Sequence, residues 1–202
     1  MEDPAPSREA LDELRAQVIR EVRGGFAPLE EIAGTAVEVV QEDEAAGEAL
    51  LPYAEQFVAE VLAQVREEQK AWPGVTDCDR LDRAMEALEA GGVLTRQHFT
   101  CCQTCGHAKI RDEVKASTGR GREVLGYAFY HRQDTDAAVD GDGLYLAYGA
   151  TEKGEAAMVA IGRIVSDALS RHGLEVAWDG SAEKRIFVRL DWKRRRAVPV
   201  LN

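Results

Sequence analysis

The sequence predicts an α+β protein in which acidic N-terminal helices pack on a four-stranded mixed sheet. The first observation is a change of period: apolar residues recur every three or four positions before the loop TGRGRE, residues 118–123, and alternate in several segments after it. The second is the order of the later elements, which reads strand, strand, helix, strand, strand. The third is composition, because 202 residues with 45% hydrophobic and 30% charged side chains suit a chain that buries a core.

Three amphipathic helices are predicted in a helical N-terminal region, residues 1–74. Ser7 can cap the first helix, and a pair of glycines ends it. The second is expected from Pro28 to about Asp43, since proline is tolerated in a first turn. The third carries a broad apolar stripe that ends at the sequence WPG, residues 72–74.

The predicted second domain, residues 75–196, carries the sheet, and residues 197–202 are predicted to be a tail. It begins with a helix whose Thr76 and Asp79 have the spacing of a capping box. Strands are predicted in LGYAFYHRQD, GLYLAYGA, LEVAWDG and RIFVRLDW, with a helix over residues 154–171 between the second and third. The last two strands should form an antiparallel hairpin, and a helical crossover between neighbouring parallel strands would be right-handed.

The net charge of −11 is concentrated in the N-terminal third of the chain. Residues 1–70 hold 17 acidic and 6 basic side chains, whereas the remaining residues hold 19 of each. Such a surface repels phosphate backbones, so nucleic acid is a disfavoured partner, and it would attract a protein with a basic surface. The basic run from Lys193 to Arg196 is expected to be a solvated tail.

A cytoplasmic location is expected, with no membrane segment. The start, MEDPAPSREA, is acidic and lacks the apolar stretch of a secretory signal. The longest apolar run is interrupted by Arg163 and Asp167 and is too short to span a bilayer. In a reducing compartment the four cysteines would stay thiols or thiolates unless a metal or a redox cycle takes them.

The stretch HFTCCQTCGH, residues 98–107, holds three of the four cysteines and two of the four histidines. Cys102 and Cys105 form a C-x-x-C, by which one turn can direct two thiolates at an ion about 2.3 Å from each sulfur. A second C-x-x-C or H-x-x-x-H pair is missing, so the usual four-ligand spacing is not met. The zinc hypothesis adds Cys78 and His107 to this pair. The full set of candidates for the remaining ligands is Cys78, Cys101, His98, His107 and His131.

Two further chemical interpretations use the same cysteines. A C-x-x-C at a helix start gains thiolate character, but the sequence shows no strand before it, where a thioredoxin-like motif would lie. In the nucleophile interpretation Cys102 or Cys105 attacks, His107 or His131 is the base, and Asp134 orients it. The fourth alternative is that the cysteines only pack, as small buried hydrophobes, and the residues favour it narrowly.

Five phrases together resemble an uncharacterised bacterial family that carries only a domain-of-unknown-function label. They are TDCDRLDRA, FTCCQTCGHA, GYAFYHRQDTD, GLYLAYGA and RLDW. The resemblance covers roughly residues 75–195, with a looser match over the N-terminal helices. It implies that the cysteine turn and YHRQDTD belong to one domain, and it implies no activity, cofactor or catalytic residue.

The function expected from these observations is that of a small binding or regulatory protein acting through a protein partner. An inhibitory or immunity-like protein is one form of it, because an acidic surface speeds association with a basic partner. The alternative is a cysteine-dependent or zinc-dependent enzyme that uses the Cys102 and Cys105 turn.

Overall fold

A computed structural model describes residues 5–41 and 44–196, and the chain divides into two compact units. The helical unit holds the described residues up to Gly74 together with residues 193–196. The α+β unit is Val75–Trp192. None of the helices described is both long enough and apolar enough to cross a membrane.

The helical unit contains three helices, α1 (Arg8–Gly24), α2 (Ile32–Val40) and α3 (Glu44–Lys70). Ser7 caps α1 as predicted, and its hydroxyl accepts the amide of the third residue of the helix at 3.1 Å. Residues 29–31 form a turn, so α2 starts later than the sequence suggests, and its expected end at Asp43 lies outside the described residues.

The three helices bury their apolar faces in one shared cluster. Its fully or almost fully buried members are Leu14, Val18, Val22, Ile32, Ala36, Val37, Leu50, Ala54, Val61 and Val65. Each helix contributes side chains three or four positions apart, which is the period that predicted them. That these helices also cover the sheet stays a prediction.

The basic run at residues 193–196 is not a solvated tail, contrary to expectation. The Arg194 guanidinium lies 4.5 Å from the centre of the Phe26 ring. Arg196 donates hydrogen bonds of 2.7 to 2.8 Å to three backbone carbonyls, those of Glu21, Val22 and Ala27. Glu21 and Val22 lie in the last turn of α1 and Ala27 follows the helix, so Arg196 attaches the basic run to the end of α1. With this run, residues 1–74 and 193–202 hold 17 acidic and 10 basic side chains, a net charge of −7.

The α+β unit has four helices and five strands among its residues, all of which are described. They are α4 (Asp77–Ala90), β1 (Val93–Arg96), α5 (Gln103–Gly119), β2 (Gly126–Phe129), α6 (Arg132–Val139), β3 (Leu144–Ala150), α7 (Glu155–Arg171), β4 (Glu175–Ala177) and β5 (Ile186–Arg189). The strand order is β1-β2-β3-β5-β4. Strands β1 and β2 are parallel, and the other neighbouring pairs are antiparallel. The predicted α+β class and mixed sheet are confirmed, with five strands in place of four.

Two elements of this unit differ from those expected. Strand β1 was not predicted, because its four residues are too few to show a period. Strand β2 ends at Phe129, and the following HRQDTD turns into α6 instead of extending the strand. The β4–β5 hairpin is antiparallel as predicted. Helix α7 joins β3 and β4, which run in the same direction but have β5 between them, so they are not neighbours.

The parallel pair places two helix starts at one edge of the sheet. Strand β1, helix α5 and strand β2 form a β-α-β unit, so β1 and β2 end at the same edge. Helix α5 starts after the end of β1, and α6 starts after the end of β2. Pairing continues past the strands, since the Phe99 amide donates to the Tyr130 carbonyl at 2.8 Å. The Arg132 amide likewise donates to the Thr100 carbonyl at 3.1 Å.

Candidate functional site at the carboxyl edge of the parallel strands

Three thiols meet at the start of α5. The Sγ atoms of Cys101, Cys102 and Cys105 all lie within 4.8 Å of one another. Cys101 and Cys105 are exposed and Cys102 is partly buried. Three sulfurs around a tetrahedral ion at about 2.3 Å each are about 3.8 Å apart. The group, named the thiol cluster below, is therefore compact enough for its thiolates to share one ion.

The thiols of the cluster differ in acidity. Cys102 is the N-cap of α5, and its side chain makes no capping hydrogen bond of ordinary geometry. The nearby amide of Cys105 still favours the thiolate and, with the Cys105 and Cys101 thiols, holds the pKa of Cys102 below its usual value. The Cys101 and Cys102 side chains raise the pKa of Cys105 to about 11. Of this C-x-x-C pair, Cys102 loses its proton first.

The loop that leads into the thiol cluster contains two strained residues. His98 has φ 49° and Thr100 has φ 61°, in the left-handed region that residues other than glycine seldom occupy. The conformation is held from outside the loop, because His98 Nδ1 lies 2.9 Å from Thr135 Oγ1 and α6 donates an amide to the Thr100 carbonyl. The Thr100 hydroxyl also donates to the Cys102 carbonyl at 3.2 Å. The start of α6 thus helps to fix the backbone of the cysteine turn.

A glycine lets the first turn of α5 approach the sheet. A Cβ added to Gly106 would lie 2.3 Å from Cε2 of Phe129, a distance that no real side chain tolerates. Phe129 is fully buried and packs edge-on against Phe99, with ring centres 5.9 Å apart. The residue that follows the C-x-x-C therefore sets how closely the thiol cluster lies to β2.

His107 lies on α5 but does not belong to the thiol cluster. Its Nδ1 is 3.3 Å from the Tyr127 hydroxyl, and its ring packs edge-on against Phe129 with centres 5.1 Å apart. Burial is the main reason that the pKa of His107 is lowered, and the positive charges of Arg111 and Arg185 add to it. His107 is therefore a neutral imidazole that packs against β2.

His131 and Asp134, candidates for base and orienting carboxylate, form the capping box of α6. His131 Nδ1 accepts the Asp134 amide at 3.3 Å, and Asp134 Oδ2 accepts the His131 amide at 3.0 Å. Arg185 donates to the other oxygen of Asp134 and to the Tyr145 carbonyl. Burial lowers the pKa of His131, although the Asp134 charge opposes this. These contacts give both residues a positioning role, and their catalytic role stays a prediction.

The structure brings together only part of the ligand set expected from the sequence. Cys102 and Cys105 meet as proposed, and the third thiol is Cys101, which the sequence offered among the further candidates. Cys78 is buried in α4 and lies outside the thiol cluster. In the part of the chain that the structure describes, no histidine, carboxylate or fourth cysteine joins the three sulfurs.

The expectation that no strand precedes the C-x-x-C is wrong. Strand β1 ends six residues before Cys102, and α5 leads on to the parallel strand β2. The C-x-x-C therefore starts the helix of a β-α-β unit, which is the placement of redox-active pairs of the thioredoxin-like kind. The signal that sequence reasoning missed is the pair of apolar residues in VLTR, residues 93–96, which are buried in this strand.

Comparisons with known proteins agree with the resemblance stated from the sequence phrases. No curated protein and no solved structure matches the chain. A family model described as a domain of unknown function (DUF6891) matches residues 7–196, so it includes the N-terminal helices as well as the thiol cluster and the sheet. The chain belongs to this family, Domain of unknown function (DUF6891).

Proposed function

We propose that the thiol cluster binds one Zn²⁺ ion through Cys101, Cys102 and Cys105. The observation that carries the proposal is the mutual distance of the three Sγ atoms, all below 4.8 Å. None of the four cysteines, each of which the structure describes, is in a disulfide, so the sulfurs are available as ligands. Thiolate sulfur suits Zn²⁺ better than it suits Mg²⁺ or Ca²⁺.

The position of the cluster supports metal binding in a second way. A metal ligand must be deprotonated, and the positive end of a helix dipole stabilises the anionic form of nearby sulfur. Cys102 and Cys105 lie at the start of α5, and Cys101 directly precedes it. Exposure of Cys101 and Cys105 lets an ion reach the cluster from solvent.

Three protein ligands would leave one coordination position open. A structural zinc site is usually closed by four protein ligands, whereas a catalytic site keeps one position for water or substrate. Because no fourth described side chain joins the cluster, the arrangement favours the open kind. We therefore favour a zinc-dependent enzyme, in which water or substrate takes the fourth position, over a site that is completed by a fourth ligand from a partner protein. We propose a cytoplasmic location with it, since a reducing compartment keeps such thiols available.

Metal content tests the proposal directly. The full chain is purified with a reductant and without chelator, and its zinc is measured by elemental mass spectrometry. We expect about one zinc ion per chain. Cys101→Ser, Cys102→Ser and Cys105→Ser each remove a ligand, so each should weaken binding by at least the roughly tenfold that loss of an outer-shell partner of a ligand costs. Cys78→Ala is the matched control, because Cys78 lies outside the cluster and should leave zinc binding unchanged.

Two outcomes would contradict metal binding at this cluster. One is a chain that retains less than about a tenth of an equivalent after loading with zinc and removal of the excess. The other is a loss of zinc in Cys78→Ala as large as that in Cys102→Ser. Far-UV circular dichroism of every variant separates lost ligation from lost folding.

A role as a binding or regulatory protein for a basic partner remains a separate proposal. What supports it is the acidic excess of the helical unit, which stays at −7 after the basic run is included. Association steered by charge slows steeply as ionic strength rises. We therefore expect a specific partner recovered from lysate at low salt to bind more slowly at high salt, and a rate independent of salt would contradict the proposal.

A further inference from the structure

We infer that the metal-free thiol cluster is a thiol–disulfide exchange site, in which Cys102 attacks a disulfide and Cys105 completes the exchange. The inference goes beyond metal binding and does not depend on it, because it uses the same sulfurs in their ion-free form. The co-reactant is a disulfide of a small molecule or of a protein, and the reacting sulfurs lie together at the start of α5.

Cys102 has the position of an attacking thiol. It is the N-cap of a helix in a β-α-β unit, with an extended backbone at φ −151° and ψ 172°. No side chain caps this helix, so the first-turn amides are left to face an anion at the helix start. The thiolate is the form that attacks a disulfide, and this setting stabilises it.

Cys105 has the position of a resolving thiol. It lies three residues after Cys102, and in helical geometry such residues have Cα atoms about 5 Å apart, within the range at which disulfides form. Their Sγ atoms lie within 4.8 Å already. A disulfide between the adjacent residues Cys101 and Cys102 would instead strain the peptide between them. Cys105 is therefore the partner for Cys102.

The exchange balances in two steps. The Cys102 thiol gives its proton to solvent, and its thiolate attacks one sulfur of the substrate disulfide, whose S–S bond breaks; the departing thiolate takes a proton from solvent. Cys105 then gives its proton to solvent, and its thiolate attacks Cys102 Sγ, which releases the second substrate sulfur as a thiolate that also takes a proton from solvent. The substrate disulfide gains two electrons and two protons, and Cys102 and Cys105 lose them as they form one disulfide.

The experiment uses the full chain after chelator treatment, incubated with excess oxidised glutathione. The reaction is quenched by alkylation, and intact mass and peptide mapping locate each modified cysteine. In the wild type we expect a disulfide between Cys102 and Cys105. In Cys105→Ser we expect one glutathione trapped on Cys102, because no resolving thiol remains. In Cys102→Ser we expect the exchange to slow by about tenfold or more.

Two controls separate this assignment from general thiol reactivity. Cys101→Ser removes a thiol that helps to lower the pKa of Cys102, so exchange should slow but should still end in a disulfide between Cys102 and Cys105. Cys78→Ala removes a buried thiol outside the cluster and should have no effect. A Cys101–Cys105 disulfide in the wild type, or trapping in Cys101→Ser equal to that in Cys105→Ser, would overturn the roles given to Cys102 and Cys105.

The exchange idea and the zinc proposal fail in distinguishable ways. If all four thiols of the chelator-treated wild type survive excess oxidised glutathione, exchange is overturned, while zinc loading of reduced protein is unaffected. If exchange proceeds and the reduced protein holds no zinc, the zinc proposal alone is lost. Folding of each variant is checked by circular dichroism, and Cys105→Ser supplies a positive signal that an unfolded chain would not confine to one cysteine.

Discussion

The starts of α5 and α6 lie at the same edge of one sheet, but different side chains meet their first-turn amides, which have no partners within the helix. At α5, the Cys102 side chain makes no capping hydrogen bond of ordinary geometry, and the two other thiols of the cluster, Cys101 and Cys105, are exposed. At α6, His131 and Asp134 satisfy each other's amides, are only 6% exposed, and are held by Arg185. At α6 the capping side chains are occupied by each other's amides and by Arg185, so they are not available to a ligand. The start of α5 instead presents exposed sulfurs that a ligand can reach.

Asp134→Ala should have the largest effect on stability, because it removes the carboxylate of the capping box at the start of α6. Asp134 is buried and accepts from the His131 amide and the Arg185 guanidinium. Removing one partner of a buried ion pair costs about 3–5 kcal/mol. Arg185 is still 24% exposed, so water recovers part of that loss, and we expect about 3 kcal/mol by urea unfolding.

Asp142→Ala is the control for this change. Asp142 is exposed in the segment that follows α6, so its removal should alter stability by less than about 0.5 kcal/mol. The comparison between the two helix starts would fail if both variants destabilised the protein equally. It would also fail if Asp134→Ala left stability unchanged.

Gly106→Ala should have the next largest effect, now at the start of α5. The added methyl group would meet the Phe129 ring at 2.3 Å, and overpacking of this kind costs about 1–3 kcal/mol. Because α5 must then shift away from β2, we also expect weaker zinc binding and slower exchange. Urea unfolding and zinc titration measure the two effects.

Gly119→Ala is a matched control on the same helix. A Cβ at Gly119 would have no neighbour within 4 Å, so alanine should be neutral or stabilise the helix by up to about 1 kcal/mol. Equal destabilisation by the two substitutions would show that contact with Phe129 is not what requires glycine at position 106.

The smallest expected effect is a loss of stability on mild acidification. Burial lowers the pKa of His131 and of His107 in the folded chain, so below about pH 6.5 the unfolded chain binds more protons than the folded one. Stability due to these neutral histidines is full above that pH and is lost as the pH falls below it. Urea unfolding at pH 7.5 and 5.5 should show a lower free energy of unfolding at pH 5.5.

His131→Asn separates the proton effect from the capping effect. Asparagine can still cap α6 but does not titrate in this range, so the fall in stability between the two pH values should become smaller. If the free energy of unfolding rose on acidification, or if the variant had the same pH dependence as the wild type, the neutral state of His131 would not contribute.

Local signals explain which elements could be predicted. Ser7 at α1 and the Thr76–Asp79 box at α4 are formed as expected, because each cap joins residues three positions apart. The start of α6 was missed because its cap is His131, which is not among the usual capping residues. Strand β1 was missed for another reason, since its four residues become a strand only by pairing with β2.

The thiol cluster likewise depends partly on local spacing in the sequence and partly on a contact between distant segments. Spacing alone paired Cys102 with Cys105, because one helical turn brings them together. It did not select Cys101 over Cys78 as the third thiol, since that choice depends on how the loop before α5 is held. Thr100 holds that loop through its contact with the start of α6, a segment far along the chain.

By itself, the sequence determined the α+β class, the amphipathic helices, the C-x-x-C pair and the concentration of acidic charge. Each of these depends on composition or on residues within a few positions of one another. Only the tertiary structure decided the membership of the thiol cluster, the contact of Arg185 with the capping carboxylate of Asp134 and the anchoring of Arg196 on α1. Those features depend on contacts between segments that are distant in the chain, and no local sequence pattern shows such contacts.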